Sequence, residues 1–193
     1  MPRPREFDSN QVLDSAMQVF WSRGYDGTTV RDLVDATGLQ PGSLYGAFDS
    51  KRKLFQLSLR RYEQRIDGHV VRLLQPGVAP LDSIREFFDF LLGEFGNDES
   101  KRGCLMINTL LQVPSADEEV SRQVIRMSAK LETAFRSLLL EAQALGHLSK
   151  GNSPDVLASS LLSVIFGLRV FNKTNPRPET LREVADAFLD CLI

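Results

Sequence analysis

The chain has 193 residues, of which 42% are hydrophobic and 25% are charged, and its formal net charge is −2. This composition is ordinary for a soluble globular protein, and it excludes a disordered tail, a collagen-like repeat and a membrane bundle. The charge is uneven: residues 1–65 carry ten Lys and Arg against eight Asp and Glu, which leaves a balance of −4 for the remainder. A basic front half on an acidic body is a first indication of DNA binding.

The two cysteines lie far apart, at Cys104 and Cys191, in a spacing that suits no zinc site. A chain of this size needs no disulfide to fold, so we expect reduced thiols. The first residues lack the apolar core of a signal peptide, and no stretch reaches the ~18 uninterrupted apolar residues of a membrane span. We therefore expect a cytoplasmic protein that binds no membrane, metal or cofactor.

Apolar residues recur at spacings of three and four, and β-branched alternation is nearly absent, which predicts an all-α fold. Residues 2–5 form a short arm rich in Pro and Arg, which we expect to be mobile. The first helix begins after a cap at Asp8 or Ser9 and ends at Gly24. After residue 50, further helices are predicted at 51–74, 81–95, 104–113, 117–146, 154–172 and 178–192.

Two short helices joined by a glycine turn are predicted between these longer ones. Thr29 and Asp32 have the spacing of a capping box, and Gly38 then ends the first short helix. Pro41 suits the first turn of the second short helix, which ends at Phe48. This arrangement lets one helix brace the other in a DNA major groove, but it also occurs in helical proteins that never bind DNA.

The side chains around this turn suit contacts with DNA. Small residues at the front of the second short helix, Gly42 among them, allow a close approach to base edges. Tyr45 and Lys51 suit phosphate contacts, through a hydroxyl and through charge. Thr29 and the free backbone N–H groups at the start of the first short helix offer a second phosphate contact. Arg31, one turn into that helix, suits a contact with guanine. The alternative for the basic residues is a solvated surface.

These residues belong to a longer pattern that runs without a gap. It comprises Phe20, Gly24-Tyr25, Thr29-Val30-Arg31-Asp32-Leu33, Ala36-x-Gly38-Leu39, Gly42-Ser43-Leu44-Tyr45 and Phe48-x-Ser50-Lys51-x-x-Leu54. The pattern resembles the DNA-binding domain of TetR-family transcriptional regulators. The resemblance implies an N-terminal three-helix DNA-binding domain at 1–52, with its helix-turn-helix at about 29–48. A long helix then joins it to a larger helical effector-binding and dimerisation domain at 53–193.

The resemblance also assigns roles to individual positions. Phosphate-gripping positions of the family are matched by Thr29, Tyr45 and Lys51. Positions that face bases are matched by Arg31, Gln40, Pro41, Gly42 and Ser43. One departure is Gly46-Ala47, where many members have an aromatic or His pair, and this loss of contact area leaves the operator sequence open.

The C-terminal two thirds is expected to hold a largely apolar effector pocket. The predicted lining residues are Phe87, Phe90, Cys104, Met106, Asn108, Leu111, Phe135 and Phe166. The alternative for each apolar residue is that it simply fills the core.

Cys104 follows two cations and a glycine near an expected helix start, a setting that favours the thiolate. The block Gly103-Cys104-Leu105…Asn108 resembles one found in a subset of TetR-like regulators, some of which sense electrophiles or oxidants through the cysteine. The alternative is a small buried hydrophobic residue. Cys191 is expected only to pack.

The last two helices are expected to form a homodimer. Small residues at spacing four in the helix at 154–172 allow close helix approach, and a four-helix interface follows from two such helices per subunit. The predicted interface residues are Leu157, Leu161, Ser163, Ile165, Gly167, Leu181, Val184 and Phe188. A two-fold dimer presents two recognition helices to a palindromic operator, whereas the alternative is ordinary monomer core.

The sequence therefore predicts a homodimeric repressor released from its operator by a small-molecule effector or by thiol modification. The alternatives are a helical ligand-binding protein without DNA binding and a transcriptional activator. An enzyme that uses Cys104 as nucleophile needs a base, and His69 and His147 lie in no recognisable catalytic pattern. We expect no enzymatic activity.

Overall fold

The computed structural model of the protein describes residues 7–95, 100–112, 117–174 and 176–192. Residues 2–5, for which we expect a mobile arm, lie outside these ranges. The described residues form nine α-helices, with short 3₁₀ turns at Ser100–Arg102 and Asn172–Thr174. The helices are α1 (Ser9–Gly27), α2 (Val30–Thr37), α3 (Pro41–Phe48), α4 (Lys51–Leu73), α5 (Pro80–Gly93), α6 (Leu105–Gln112), α7 (Glu118–Ala144), α8 (Pro154–Phe171) and α9 (Pro178–Leu192). The predicted all-α fold is confirmed.

Capping residues set the ends of the N-terminal helices. The Asp8 side chain accepts a hydrogen bond from the backbone N–H of Asn10 at 2.8 Å and caps α1. Regular helical geometry in α1 is interrupted at Gly24, whose φ of 73° only glycine adopts readily. Ser50 caps α4 by accepting from the backbone N–H of Lys53 at 3.1 Å.

Buried side chains form two clusters. The first joins α1, α2, α3 and α4 to α6 and to the beginning of α7. The second joins α5, the rest of α7, α8 and α9. Because the first cluster contains Cys104 and Met106 as well as Phe20 and Leu54, the core of the N-terminal half continues into α6. The domain boundary at residue 52 stays a prediction.

Ion pairs fasten α4 to α7 along their length. Arg52 Nη2 lies 2.9 Å from Asp117 Oδ1, and this hydrogen bond is the main reason why the pKa of Asp117 is lowered. Asp117 also caps α7, so the pair fixes the start of that helix. Further along, Lys130 Nζ lies 2.7 Å from both Glu63 and Asp67. The long helix that leaves the DNA-binding half is thus held against the C-terminal half.

Candidate DNA interface and regulatory core

The two short helices form the predicted helix-turn-helix. Thr29 Oγ1 accepts from the N–H of Asp32 at 3.2 Å, and Asp32 Oδ2 accepts from the N–H of Thr29 at 2.8 Å, which completes the capping box. Gly38 ends α2 in the left-handed conformation, with φ 69°. Pro41 occupies the first turn of α3, where its missing N–H has no consequence. On α3, Leu44 and Phe48 are buried in the first cluster.

The opposite face of α3 lies open to solvent. At Gly42 and Gly46, no described heavy atom comes within 4 Å of the position that a Cβ would take. Small residues there leave room for a base edge to approach the helix backbone. The exposed residues of this front are Gln40, Pro41, Gly42 and Ser43.

The predicted phosphate contacts border this front. Tyr45 is half-buried, and Lys51 Nζ lies 4.6 Å from the centroid of the Tyr25 ring. Thr29 is exposed, although its hydroxyl also donates to Asp32 at 2.7 Å. Arg31 reaches into solvent with its side chain 90% exposed, and its nearest carboxylate, Asp35, is 3.8 Å away. The structure thus places the eight predicted DNA contacts on α2, α3 and their flanks, six of them exposed and Tyr45 and Lys51 half-buried, and their contact with DNA stays a prediction.

Cys104 lies immediately before α6 in a closed setting. The side chain is 6% exposed, and its Sγ lies 3.3 Å from Tyr62 Oη. Burial is the main reason why the pKa of Tyr62 is raised well above its usual range, and the neighbouring Cys104 adds to it. The phenol therefore keeps its proton, which it can donate to the sulfur. Tyr62 was not predicted from the sequence, because no local pattern ties it to Cys104.

Asn108 connects this segment to the 3₁₀ turn after α8. Its Nδ2 donates to the carbonyl of Arg102 at 2.8 Å, and its Oδ1 accepts from Lys173 Nζ at 3.2 Å. Asn108 is itself buried. The predicted polar group of the pocket is therefore engaged by the chain's own residues.

The predicted aromatic wall is divided between the two clusters. Phe87 and Phe135 are buried together in the second cluster, with ring centroids 5.4 Å apart. Met106 is buried in the first cluster with Cys104. Phe166 is partly buried and packs against both clusters. Phe90 is half-buried beneath Arg72, whose guanidinium carbon lies 4.6 Å from the ring centroid.

The prediction that Leu111 lines an internal pocket is wrong. Its side chain is 77% exposed, because α6 turns its other face, with Leu105 and Met106, toward the core. The expected packing of Cys191 is likewise wrong, since the residue is exposed.

A partly buried ion pair that the sequence did not suggest lies beside the Cys104 site. Arg169 Nη2 lies 2.6 Å from Glu94 Oε2, with the Arg169 side chain only 14% exposed. The guanidinium also lies over the Phe95 ring, 5.3 Å from its centroid. The pair joins α8 to the end of α5.

The predicted dimer residues separate into two groups. Leu161, Ile165 and Leu181 are buried in the second cluster, so their assignment to an interface is corrected to monomer core. By contrast, Ser163, Gly167 and Val184 are exposed, and Leu157 and Phe188 are half-buried. A shallow groove of about 560 Å³ between α8 and α9 is lined by Asp155, Val156, Ser159, Ser160, Ser163, Val164 and Phe188.

Helix α8 is unusual for its apolar length. Among the described helices, only the segment Pro154–Thr174 is long and apolar enough to cross a membrane, with a mean hydropathy of 1.5. The core helix of a soluble protein can have the same properties. In the described ranges, no group of three or more His, Cys, Asp or Glu is placed to hold a metal ion.

Comparison with known proteins agrees with this geometry. Residues 12–57 match the family described as "Bacterial regulatory proteins, tetR family", and residues 80–188 match "Tetracyclin repressor-like, C-terminal domain". The chain is 28% identical to the HTH-type transcriptional repressor ComR of Escherichia coli (strain K12), over 97% of this chain and 90% of ComR. It is 30% identical to YezE of Bacillus subtilis (strain 168), an uncharacterized HTH-type transcriptional regulator, over 100% of both chains.

Among solved structures, a cysteine mutant of the TetR family transcriptional regulator CifR is similar over the whole length. That mutant is complexed with a 26-base-pair double-strand operator DNA. It shares 30% identity with this chain and superimposes with a TM-score of 0.87, over 100% of both chains. The relatives named are regulators of transcription. The chain therefore belongs to the TetR family of DNA-binding transcriptional regulators.

Proposed function

We propose that the protein is a cytoplasmic homodimeric repressor that binds a palindromic operator and is released by a small-molecule effector or by modification of Cys104. The observation that carries the DNA-binding part is the open front of α3. Its small residues lie beside Tyr45 and Lys51, while Leu44 and Phe48 anchor the helix in the first cluster. Repression is supported by the relative ComR, which is named a repressor.

Dimerisation is supported by the apolar surface of α8 and α9. Only 28% of the apolar window of α8 is buried within its own chain, and Val156, Val170 and Val184 are 63%, 45% and 44% exposed. Apolar surface of this extent on a soluble protein marks an interaction site. A second copy seated on this face makes a two-fold dimer, which carries two α3 helices to half-sites about 34–36 Å apart or a multiple of that distance.

Operator binding is tested with a duplex selected from a random library by the purified protein, with affinity read by fluorescence anisotropy. Lys51→Ala and Tyr45→Phe are each expected to weaken binding at least about tenfold, because one phosphate contact is lost per subunit. Lys51→Ala should also reduce the slope of log affinity against log salt by about two per dimer, since each phosphate contact contributes ~0.9. Lys150→Ala, an exposed lysine between α7 and α8, is the matched control.

The outcome separates the candidate functions. Failure to select any duplex, or an affinity indifferent to Lys51 and Tyr45, would favour a helical ligand-binding protein without DNA binding. An operator whose occupancy raises transcription in a reporter assay would favour an activator.

The effector part concerns the closed setting of Cys104. The sulfur lies 3.3 Å from the buried Tyr62 hydroxyl, and Asn108, four residues along the same segment, accepts a hydrogen bond from Lys173. A covalent adduct on this sulfur needs space that the present packing lacks, so it favours a rearranged state with weaker operator binding. Membership in the subset with the Gly103-Cys104-Leu105…Asn108 block stays a prediction.

The thiol is tested in Cys191→Ser, which leaves Cys104 as the only thiol in the chain. N-ethylmaleimide is the probe, mass spectrometry measures its addition, and anisotropy measures operator binding. Loss of binding in step with addition, absent from Cys104→Ser, supports thiol control. Binding that survives addition, or a thiol that resists addition, would contradict it and leave a non-covalent effector.

A further inference from the structure

Trp21, the only tryptophan of the chain, joins the DNA-binding half to the segment that carries Cys104. Its Nε1 donates to the carbonyl of Gly103 at 2.9 Å, across 82 positions of sequence. Its ring meets the Tyr62 ring edge-on, with centroids 5.1 Å apart and an interplanar angle of 80°. Trp21 therefore contacts both immediate neighbours of the Cys104 thiol: the preceding backbone and the Tyr62 side chain.

The Arg102 side chain, next to Gly103 in the sequence, also contacts α1. The Arg102 guanidinium lies 4.9 Å from the Trp21 ring centroid, and its Nη1 donates to Gln18 Oε1 at 2.6 Å. Gln18 and Trp21 both lie on α1, so two successive residues, Arg102 and Gly103, each contact this helix. The backbone at Arg102 is also fixed by α6, because the Asn108 side chain donates a hydrogen bond to the carbonyl of Arg102.

A second close approach ties the other end of α6 to α1. A Cβ at Gly24 would lie 2.1 Å from Oε1 of Gln112, so the backbone of α1 and the last residue of α6 are in close contact. Contacts at both ends of α6 therefore tie this helix to α1. Helix α1 in turn packs on α2 and α4 and so carries the helix-turn-helix.

The Cys104 sulfur has little free space around it, so a change at the sulfur affects the residues that contact Trp21. Because Cys104 is 6% exposed and Tyr62 Oη lies 3.3 Å from its Sγ, added bulk on the sulfur must displace Tyr62 or the Gly103 backbone. Either displacement disturbs Trp21. An interior packed this closely has discrete arrangements and does not deform continuously.

We infer that Trp21 is the positioning residue through which the packing around Cys104 sets the position of α1 and thereby the operator affinity. The inference rests on the proposed operator binding for its functional consequence. It does not require that the natural effector be covalent, since a ligand that moves Tyr62 acts through the same contact.

The first test uses the free protein, so that it does not depend on an operator. A ¹⁵N-labelled sample gives one indole N–H resonance, which belongs to Trp21. Cys104→Met adds bulk at the sulfur, and Tyr62→Phe removes only the hydroxyl, which guards against a variant that does not fold. Both are expected to shift this resonance and to raise its hydrogen exchange rate at least about tenfold. Cys191→Ser and Phe55→Leu should leave it in place, because Phe55 packs on Phe20 and Tyr25 instead.

The second test is a double-mutant cycle on affinity for the selected operator. Cys104→Met is expected to weaken binding about tenfold when Trp21 is present, within the usual range of coupling between sites. In Trp21→Phe, which keeps a ring and loses the N–H donor, the same substitution should change affinity less than about threefold. Phe55→Leu is the matched background, in which the full effect should persist.

The two tests fail in different ways. An indole resonance that ignores both Cys104→Met and Tyr62→Phe overturns the inference, whatever the protein binds. Equal effects of Cys104→Met in the native, Trp21→Phe and Phe55→Leu backgrounds overturn it as well. If no duplex is bound at all, the proposed function fails, while the resonance still decides whether Trp21 responds to the Cys104 site.

Discussion

At the scale of single residues, Asp49 holds the least usual backbone conformation in the described part of the chain. Its φ is 64° and its ψ is −54°, and it is the only described residue other than glycine with a positive φ. The N–H of Ser50 donates to the carbonyl of Phe48 at 2.7 Å across it, which defines a γ-turn. This turn ends α3 and lets α4 begin at once, so it sets where Lys51 lies relative to the recognition helix.

Replacing Asp49 by glycine is expected to raise the free energy of unfolding by about 1 kcal/mol. Glycine adopts this conformation without the Cβ clash, and that relief exceeds the entropy it adds to the unfolded chain. Asp49→Ala is the control, since it removes the carboxylate but keeps the strain. Urea unfolding followed by circular dichroism measures both. Equal stabilisation by the two variants would show that charge, not backbone strain, is responsible.

Local signals account for what could be predicted at this scale. The end of α3 at Phe48 was predicted from the sequence, whereas the γ-turn between the two abutting helices depends on how α3 and α4 pack. The partners of Cys104 show the same limit. Tyr62 and Trp21 come from α4 and α1, and nothing in the sequence near Cys104 specifies which distant side chains close over it.

At the scale of helices, His69 lies where α4 packs on α5. Its ring centroid is 5.0 Å from that of Phe90 and 6.3 Å from that of Phe87. Burial lowers the pKa of His69 from its ordinary value of 6.5, with Arg169, Arg72 and Arg65 adding to the effect and Glu94 opposing it. The folded protein therefore prefers the neutral imidazole.

This preference makes stability depend on pH. The unfolded chain binds a proton near pH 6.5 while the folded chain resists it, so stability is full above 6.5 and falls as the pH drops below it. The slope from one such group is at most ~1.4 kcal/mol per pH unit. His69→Gln should flatten this part of the profile in urea unfolding between pH 5 and 7. His147→Gln, at the chain's other and exposed histidine, should retain it. A profile unchanged by His69→Gln would contradict the assignment.

Helix ends were predictable, whereas the faces of α8 were not. From α2 onward, the predicted ends agree with the structure within two residues, because residues such as Ser50 and Pro41 act on the turn next to them. The faces of α8 could not be assigned in this way. Apolar residues surround this helix, so the pattern did not separate Leu161 and Ile165, which face their own core, from Ser163 and Gly167, which face outward.

At the scale of the whole molecule, the outward face of α8 and α9 bears on both dimerisation and operator binding, the two properties proposed for the chain. The second cluster uses the inner sides of these helices, and none of the residues that the structure describes covers the groove around Ser163 and Phe188. Binding of a palindrome needs two copies of α3 at a fixed separation. In the proposed homodimer, this same face sets the distance between the two recognition helices.

A carboxylate placed on this face should break the dimer and the operator complex together. In a two-fold interface each residue occurs twice, so Ser163→Glu or Val184→Glu buries two like charges without partners. We expect the sedimentation mass to fall toward that of the 21.7 kDa chain, with helical content unchanged and operator affinity weakened at least about tenfold. Val71→Glu, on α4 at a residue that is 68% exposed, adds the same charge away from α8 and α9 and should change neither. A dimer that survives both substitutions would place the interface elsewhere, and the spacing of the half-sites would then have to be set by another surface.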